Sequence, residues 1–396
     1  MTTPELTYLD FAATSALRPP GVARAMVEFL DDVGATAGRG GHRLAVAAGR
    51  VALKCRQALA RVLALPGDPG RITFTMNATH ALNTALFGVL RPGDALVVTA
   101  LDHNSVQRPA HWLASERGIE LRFVPGRIGG ELDMQQYTRA IDGARIVVLN
   151  AVSNVLGTSL DLRQLASLAR DAGALVLVDG AQSAGHMPFT PAQDGADLVA
   201  LTGHKGLLGP QGIGALWVRE GVDVAPLLFG GTGGNSLERE MPAAYPDHLE
   251  GGTSNGPGIA GLAAGLAWLL EHDLTELHAR TAGLKAKLRH GLVTIPGVRV
   301  LSPAAPEGGA IVTITTDSID PATLATRLDR EHGILVRSGL HCAPDAHRLL
   351  GTAETGAVRF SLGWCTEEDD IERAVRAVEM VAGTATSVPV GVPTKS

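Results

Sequence analysis

The sequence predicts an α/β fold: a large domain on a mostly parallel sheet, joined to a smaller α+β domain. Three observations lead there. Short apolar runs alternate with helical periods between residues 71 and 218. Two of those runs end in residues with chemistry to offer, Asp179 and Lys205, at the strand ends where open α/β sheets place their ligands. Beyond Pro257 the pattern changes to a long helical region followed by well-spaced strands. At 396 residues the chain is long enough for two domains and a sizeable core.

Taken in order, residues 6–14 read as a short strand entering a small-residue turn. Arg18-Pro19-Pro20-Gly21 then opens a helix over 22–33, with Val22, Met26, Phe29 and Leu30 at helical spacing. Residues 34–41 read as flexible, and Arg39 and His42 fit either a surface or a site role. An amphipathic helix covers 50–65, where Cys55 reads as packing, and breakers at 66–70 end it. Strand 71–75 leads through Asn77-Ala78-Thr79-His80 into a helix over 81–90. Small polar residues at a helix N-terminus suit an anion, since free N–H groups and the helix dipole both favour one. Plain capping by Asn77 or Thr79 would account for them equally well.

Strands follow at 95–100, 121–124 and 145–150, then a helix at 161–172 with Leu162, Leu165, Leu168 and Ala169 on one face. The strands ending at Asp179 and Thr202 come next, and 214–218 closes the series. Loops around 230–234 and 250–255 lack any regular period. A helical region spans 259–292, followed by strands at 298–301 and 310–315, a helix at 321–332 and a strand at 334–337. The loop 338–344 carries Cys342, and strand 358–362 and helix 367–381 complete the chain. The expected division is 15–256 for the large domain, 1–14 with 257–383 for the small one, and a flexible tail at 384–396.

Bulk properties narrow the function. Lysine and arginine number 34 against 40 acidic residues, a net charge of −6 without any basic block, so neither nucleic acid nor an anionic membrane is an expected partner. A hydrophobic fraction of 45% with 19% charged residues is that of an ordinary soluble globular protein. Three cysteines are too few for a disulfide framework, which points to a reducing, cytoplasmic setting. The first residues lack the basic and apolar regions of a signal peptide, and no apolar run reaches membrane-spanning length. No metal is expected.

Lys205 stands just past an apolar strand, in Thr202-Gly203-His204-Lys205-Gly206, with small residues around it. A lysine there has little room to reach water, and desolvation favours its neutral amine, the form that attacks an aldehyde to make a Schiff base. Alone, such a lysine is far more often a surface residue in a turn. Asp179, opening Asp179-Gly180-Ala181-Gln182 at a second strand end, changes the balance. Pyridoxal 5'-phosphate needs both a Schiff-base lysine and an acidic partner for its ring nitrogen.

These motifs, with Arg337-Ser338-Gly339-Leu340-His341-Cys342-Ala343-Pro344, resemble the class V aminotransferase family of fold-type I pyridoxal-phosphate enzymes. Within it the sequence is similar to the cysteine desulfurase and selenocysteine lyase branch, nearly end to end, from Leu9-Asp10-Phe11-Ala12-Ala13-Thr14 to Thr366-Glu367-Glu368-Asp369. The resemblance implies that Lys205 binds the cofactor and acts as acid and base at the substrate Cα, and that Asp179 keeps the ring nitrogen protonated. It implies that His103 stacks on one ring face and Ala181 covers the other, with Gln182 and Asn154 near the phenolic oxygen or substrate. Ala78, Thr79, Thr202 and His204 would hold the phosphate, joined by Thr253 from the neighbouring subunit of a homodimer. Arg359 would clamp the substrate carboxylate through its planar fork.

Cys342 would then attack the sulfur of bound L-cysteine, leaving alanine and a persulfide for a docked sulfur-acceptor protein. Its thiolate would be favoured by His341 and Arg337, or His103 would deprotonate the substrate thiol. Cys365 is expected to be packing. The alternatives are a selenocysteine lyase, a cysteine or cystine C–S β-lyase, or another enzyme of the same cofactor class.

Overall fold

The computed structural model describes residues 5–38, 40–234, 237–304 and 308–385. Arg39 and residues 386–396 of the expected tail lie outside the described residues.

The elements, in chain order, are β1 (Thr7–Tyr8), α1 (Val22–Glu28), α2 (Arg43–Val62), β2 (Ile72–Thr75), α3 (Ala78–Val89), β3 (Ala95–Thr99) and α4 (Asn104–Arg117). Next come β4 (Glu120–Val124), α5 (Met134–Ile141), β5 (Ile146–Asn150), α6 (Leu162–Asp171), β6 (Leu175–Asp179), β7 (Leu198–Thr202) and β8 (Gly214–Val218). The remainder comprises α7 (Gly256–Glu271), α8 (Leu274–Val293), β9 (Val298–Val300), β10 (Ile311–Thr316), α9 (Pro321–His332), β11 (Ile334–Leu335), β12 (Arg337–Gly339), α10 (Pro344–Leu349), β13 (Ala357–Ser361) and α11 (Glu368–Ala385).

Seven strands form one sheet in the order β2-β8-β7-β6-β5-β3-β4. Neighbours pair in parallel except at β8, which runs antiparallel to both β2 and β7. The α/β architecture with a large, mostly parallel sheet is as expected. Its strands read as unbroken apolar runs because both faces are covered. Val147, Leu149, Val176, Val178, Val199 and Leu201 enter one core, and their neighbours Ile146, Val148, Leu177, Leu198 and Ala200 enter the other.

A second, four-stranded antiparallel sheet has the order β12-β13-β10-β9. It shares a separate core with α8 and α11, through Leu284, Leu288, Val312, Val358, Phe360, Ala374 and Val378. The N-terminal segment belongs there too: β1 pairs in parallel with β11, and Leu9 lies in the same core.

The structure differs from expectation in four places. Helix α2 begins at Arg43 because His42 caps it, its ring accepting from Ala45 N; that is a structural role for His42. The helical region 259–292 is two helices, since Asp273 restarts the chain by accepting from Thr275 N and Glu276 N. Helix α7 packs on α1 and α2, and its Ile259, Leu262, Leu266 and Leu269 join the core of the large sheet. We propose that the large domain therefore extends beyond 256, to the break at His272. Helices α4, α5 and α10 were not expected from the sequence; α4 carries Pro109 inside it, and α5 and α10 are short, with 8 and 6 residues. No described helix is long and apolar enough to cross a membrane.

Candidate active site

The C-terminal ends of β5, β6 and β7 open on a cavity between the two sheets. Register explains its floor. Asn150 pairs with Asp179, and Asp179 with Ala200, so the last residues of β5 and β6 stand side by side while β7 runs two residues further, to Thr202. Lys205 follows β7 by three residues, and its amine shares the cavity with Asp179.

The cavity gathers Ala78, Thr79, His103, Asn154, Asp179, Ala181, Gln182, Thr202, His204, Lys205 and Arg359. Residues spread over 282 positions of sequence thus meet at one site (Ala78 to Arg359). Two expected residues are not among its lining. Cys342 is exposed at the rim, and Thr253 is exposed in the loop before α7, beside a different hollow formed with Phe74, Met76 and His80.

Each side chain is held by its own local structure. Asp179 is buried, and one carboxylate oxygen accepts from Ala181 N at 2.9 Å. Burial raises its pKa, against the pull of that N–H and of the Lys205 charge. Burial pushes the Lys205 amine down to about 8; Asp179 opposes the shift, and Arg359 and Arg337 add to it. An amine of that pKa is partly neutral under working conditions.

His103 caps α4, its Nδ1 accepting from Ser105 N at 3.0 Å. That bond fixes the neutral ring with its proton on Nε2, and burial keeps the ring neutral by lowering its pKa to about 4. Deprotonation of a substrate thiol by His103 would require this Nδ1 bond to open. Its only lone-pair nitrogen is occupied, and it offers the site a flat face and an N–H donor instead.

At the other end of the cavity, Asn77, Ala78 and Thr79 form the N-terminus of α3. Asn77 accepts from His80 N, so the capping role and an anion-facing helix end coexist. Gly214 lets this end approach the sheet: a Cβ there would lie 2.7 Å from Asn77 Cα and 2.6 Å from Leu201 O. Beside it, Thr202 Oγ1 and His204 Nδ1 are buried with no partner among the described residues. Buried polar atoms without partners are costly, and these two, with the helix end, fit the phosphate of a phosphorylated cofactor. The lysine–aspartate pair at the opposite end fits the rest of pyridoxal phosphate.

The N-terminal segment supplies a wall that sequence reasoning overlooked. Ala12 and Ala13 line the cavity. Gln182 donates to Ala12 O, Ser15 Oγ donates to Lys205 O, and Ser15 N donates to His204 O. Asp10 receives an ion pair from Arg359 Nη2 at 2.8 Å, and Arg359 Nη1 donates to Asn154 O at 3.1 Å. Arg359 is only 1% exposed, in a strand with a neighbour on either side, and its Nε is buried with no partner among the described residues. The run Leu9-Asp10-Phe11-Ala12-Ala13-Thr14 held that signal, but nothing in it marks Asp10 as the counter-ion of a residue 349 positions away. Ser105, Asn150, Arg337 and His341 complete the lining.

The Cys342 loop is backbone-strained and pinned. His341 and Cys342 are both left-handed, with φ of 50° and 56°, a geometry that costs an L-residue roughly 1–2 kcal/mol. Two bonds from the large domain hold it: Asn154 Nδ2 donates to His341 O and Asn104 N to Cys342 O, each at 2.7 Å. Successive side chains consequently part company, His341 turning in (2% exposed) and Cys342 out. Arg337 Nη2 lies 3.7 Å from Cys342 Sγ. His341 has its pKa lowered by burial, to about 2, so it is neutral and lends the thiolate no charge; that expectation is corrected, and Arg337 is left as the cation beside the sulfur. Cys55 and Cys365 both have their thiol pKa raised by burial, Cys55 to about 12, in keeping with packing roles.

A doubly covered, mostly parallel sheet with a lysine and an aspartate at adjacent strand ends defines a class, and the chain belongs to it: the aminotransferase class-V family, whose model matches residues 7–374. Among its relatives are proteins named probable cysteine desulfurase. That of Pseudomonas aeruginosa is 37% identical, covering 94% of this chain and 93% of its own. That of Methanothermobacter thermautotrophicus is 34% identical over 95% and 94%. Among solved structures, the apo cysteine desulfurase of Thermococcus onnurineus superimposes with a TM-score of 0.88 at 32% identity, over 96% of this chain and 95% of that one. The Escherichia coli cysteine desulfurase CsdA, solved in an S-sulfonic acid form, gives 0.85 at 28% identity, over 96% and 95%.

Proposed function

We propose that this protein is a pyridoxal-phosphate-dependent L-cysteine desulfurase that carries sulfur on Cys342. The observation that carries the reading is the pairing of the Lys205–Asp179 cavity with an exposed cysteine pinned at its rim beside an arginine. The family and its desulfurase-named relatives support it.

When bound, pyridoxal 5'-phosphate supplies an electron sink conjugated to the substrate Cα. Thr202, His204, Ala78 and Thr79 would hold its phosphate, Asp179 would partner its ring nitrogen, and His103 and Ala181 would pack against the ring. Gln182 and Asn154 hold the substrate side. Arg359 takes the substrate carboxylate with the donors that Asp10 and Asn154 leave free. Lys205 removes the Cα proton and returns a proton to carbon, a task suited to an amine of lowered pKa.

The Cys342 thiolate attacks the substrate sulfur. An S–S bond forms as the C–S bond breaks, the electron pair stays with carbon, and protonation there gives alanine and a persulfide on Cys342. The short tether of that loop requires an acceptor protein to dock close to it. Thr253 would serve the phosphate of a second copy; its exposure, with Leu228 and Phe229 uncovered in the same loop, supports a homodimer. A reducing, cytoplasmic setting suits a free, exposed catalytic thiol.

The test is to supply L-cysteine and a reductant to the holoenzyme and to follow alanine, sulfide and pyruvate together, with Cys342→Ala alongside. Alanine equal to sulfide, lost in the variant, is the expected result. Pyruvate, or a variant as active as the parent, would reassign the protein as a C–S β-lyase.

A further inference from the structure

Behind the Cys342 loop lies a chain of buried polar groups whose proton positions can be read from their partners. His341 Nε2 is 3.2 Å from Arg337 O. A carbonyl can only accept, so His341 carries its proton on Nε2 and its Nδ1 is a lone pair. His341 Nδ1 is 3.2 Å from His347 Nε2, which must then be the donor. A neutral His347 protonated at Nε2 has its lone pair on Nδ1, and Thr352 Oγ1, 2.8 Å away, donates to it. His341, His347 and Thr352 are all buried, and burial lowers the pKa of both rings, so neither is charged at neutral pH.

We propose that Thr352 and His347 are positioning residues for Cys342, forming a one-way hydrogen-bond chain that sets the tautomer of His341 and thereby seats the strained loop and Arg337 against the thiol. The chain runs Thr352 → His347 → His341 → Arg337 O; the Thr352 hydroxyl also lies 3.4 Å from His347 O, but His347 Nδ1, at 2.8 Å, is its shorter contact. Reversing any link turns a lone pair of His341 onto the Arg337 carbonyl. That repulsion acts where the loop has least slack, because His341 and Cys342 are already left-handed and their carbonyls are already held by Asn154 and Asn104. Arg337 stands at the end of the chain with its guanidinium beside Cys342 Sγ, so a displaced Arg337 backbone carries that cation away from the sulfur. Neither histidine exchanges a proton with substrate in this arrangement.

The proposal rests on Cys342 as the sulfur-accepting residue, but its test reads the thiol and the rings directly. Iodoacetamide modification of Cys342, followed by peptide mass spectrometry at fixed neutral pH on the holoenzyme, should slow at least fivefold in Thr352→Val. Thr352→Ser, which keeps the donor, should stay within twofold of the parent. ¹⁵N-histidine NMR of the unsubstituted protein, assigned with His341→Gln and His347→Gln, should show both rings neutral and protonated at Nε2. A Thr352→Val protein that alkylates at the parental rate, or either ring protonated at Nδ1, would overturn the proposal. Release of pyruvate by a protein that passes both tests would overturn the desulfurase reading and leave the chain intact.

Discussion

Asp102 and Asp179 are buried carboxyl groups that repel one another, and they resolve the conflict differently. Burial drives Asp102 up to about 8; Thr99 N–H holds one of its oxygens, and the other has no partner among the described residues. Asp102 is thus mostly neutral at pH 7; burial raises Asp179 as well, but there the Ala181 N–H and the Lys205 charge oppose the shift. The carboxyl group in the lysine-lined cavity is therefore the one whose negative charge is supported by its neighbours. Asp179→Asn removes it without changing shape and should lower turnover by ~10²–10³-fold, measured as alanine formed, while the protein still folds. Lys205 gives a pH signature. In the coenzyme-free fold its proton leaves near pH 8, against the ordinary 10.5. Between those values the unfolded chain holds the extra proton, so raising the pH favours the folded state. Denaturant unfolding of coenzyme-free protein should show the stability gap between Lys205→Met and the parent narrowing from pH 8 to 10. Lys205 and Asp179 were legible in the sequence because each follows an apolar run at a strand end. Asp10, His341 and the Nε2 proton of His103 were not, since each depends on a partner that only the fold supplies.

At the level of elements, what the sequence disclosed followed burial. Strands β3, β5, β7 and β8 are buried along their full length, β6 in all but its first residue, and they announced themselves as apolar runs. Helix α6, half-exposed, announced itself by period. Helices α4 and α10 stayed silent for other reasons: α4 buries Val106, Ala110 and Leu113 but is interrupted by Arg108 and Pro109, and α10 has only 6 residues. Both also serve the site, α4 being capped by His103 and α10 carrying His347. The break between α7 and α8 was hidden for another reason. Asp273 caps a helix only if the chain turns there, and the polar run Glu271-His272-Asp273 within a helical stretch does not say so. The abutment of α3 on the sheet is testable. Gly214→Ala would press a methyl against Asn77 and Leu201, shifting the helix end offered to the phosphate. Coenzyme retention on dialysis should fall ~10-fold or more, equivalent to about 1.4 kcal/mol, while far-UV circular dichroism is little changed.

For the whole molecule, the buried imidazoles set the acid limit. His103, His186, His204 and His347 have their pKa lowered to about 4, chiefly by burial. Unfolding releases each to its ordinary 6.5, so between pH 6.5 and 4 the unfolded chain binds the extra protons and stability drains as pH falls. Urea unfolding at pH 7 and pH 5 should show a marked loss at the lower pH, with protons taken up on unfolding. A flat profile would mean that these rings are charged in the fold. The N-terminal strap has a consequence in time. Residues 7–15 leave the ribosome first, yet Thr7 and Tyr8 wait for Ile334 and Leu335, Asp10 for Arg359, and Ser15 for Lys205. A nascent chain can complete its seven-stranded sheet after residue 218 and still lack a wall, a counter-ion and the rim thiol. The site therefore cannot form until Arg359 has emerged, and a chain cut short before it lacks the residues that would handle a reactive sulfur.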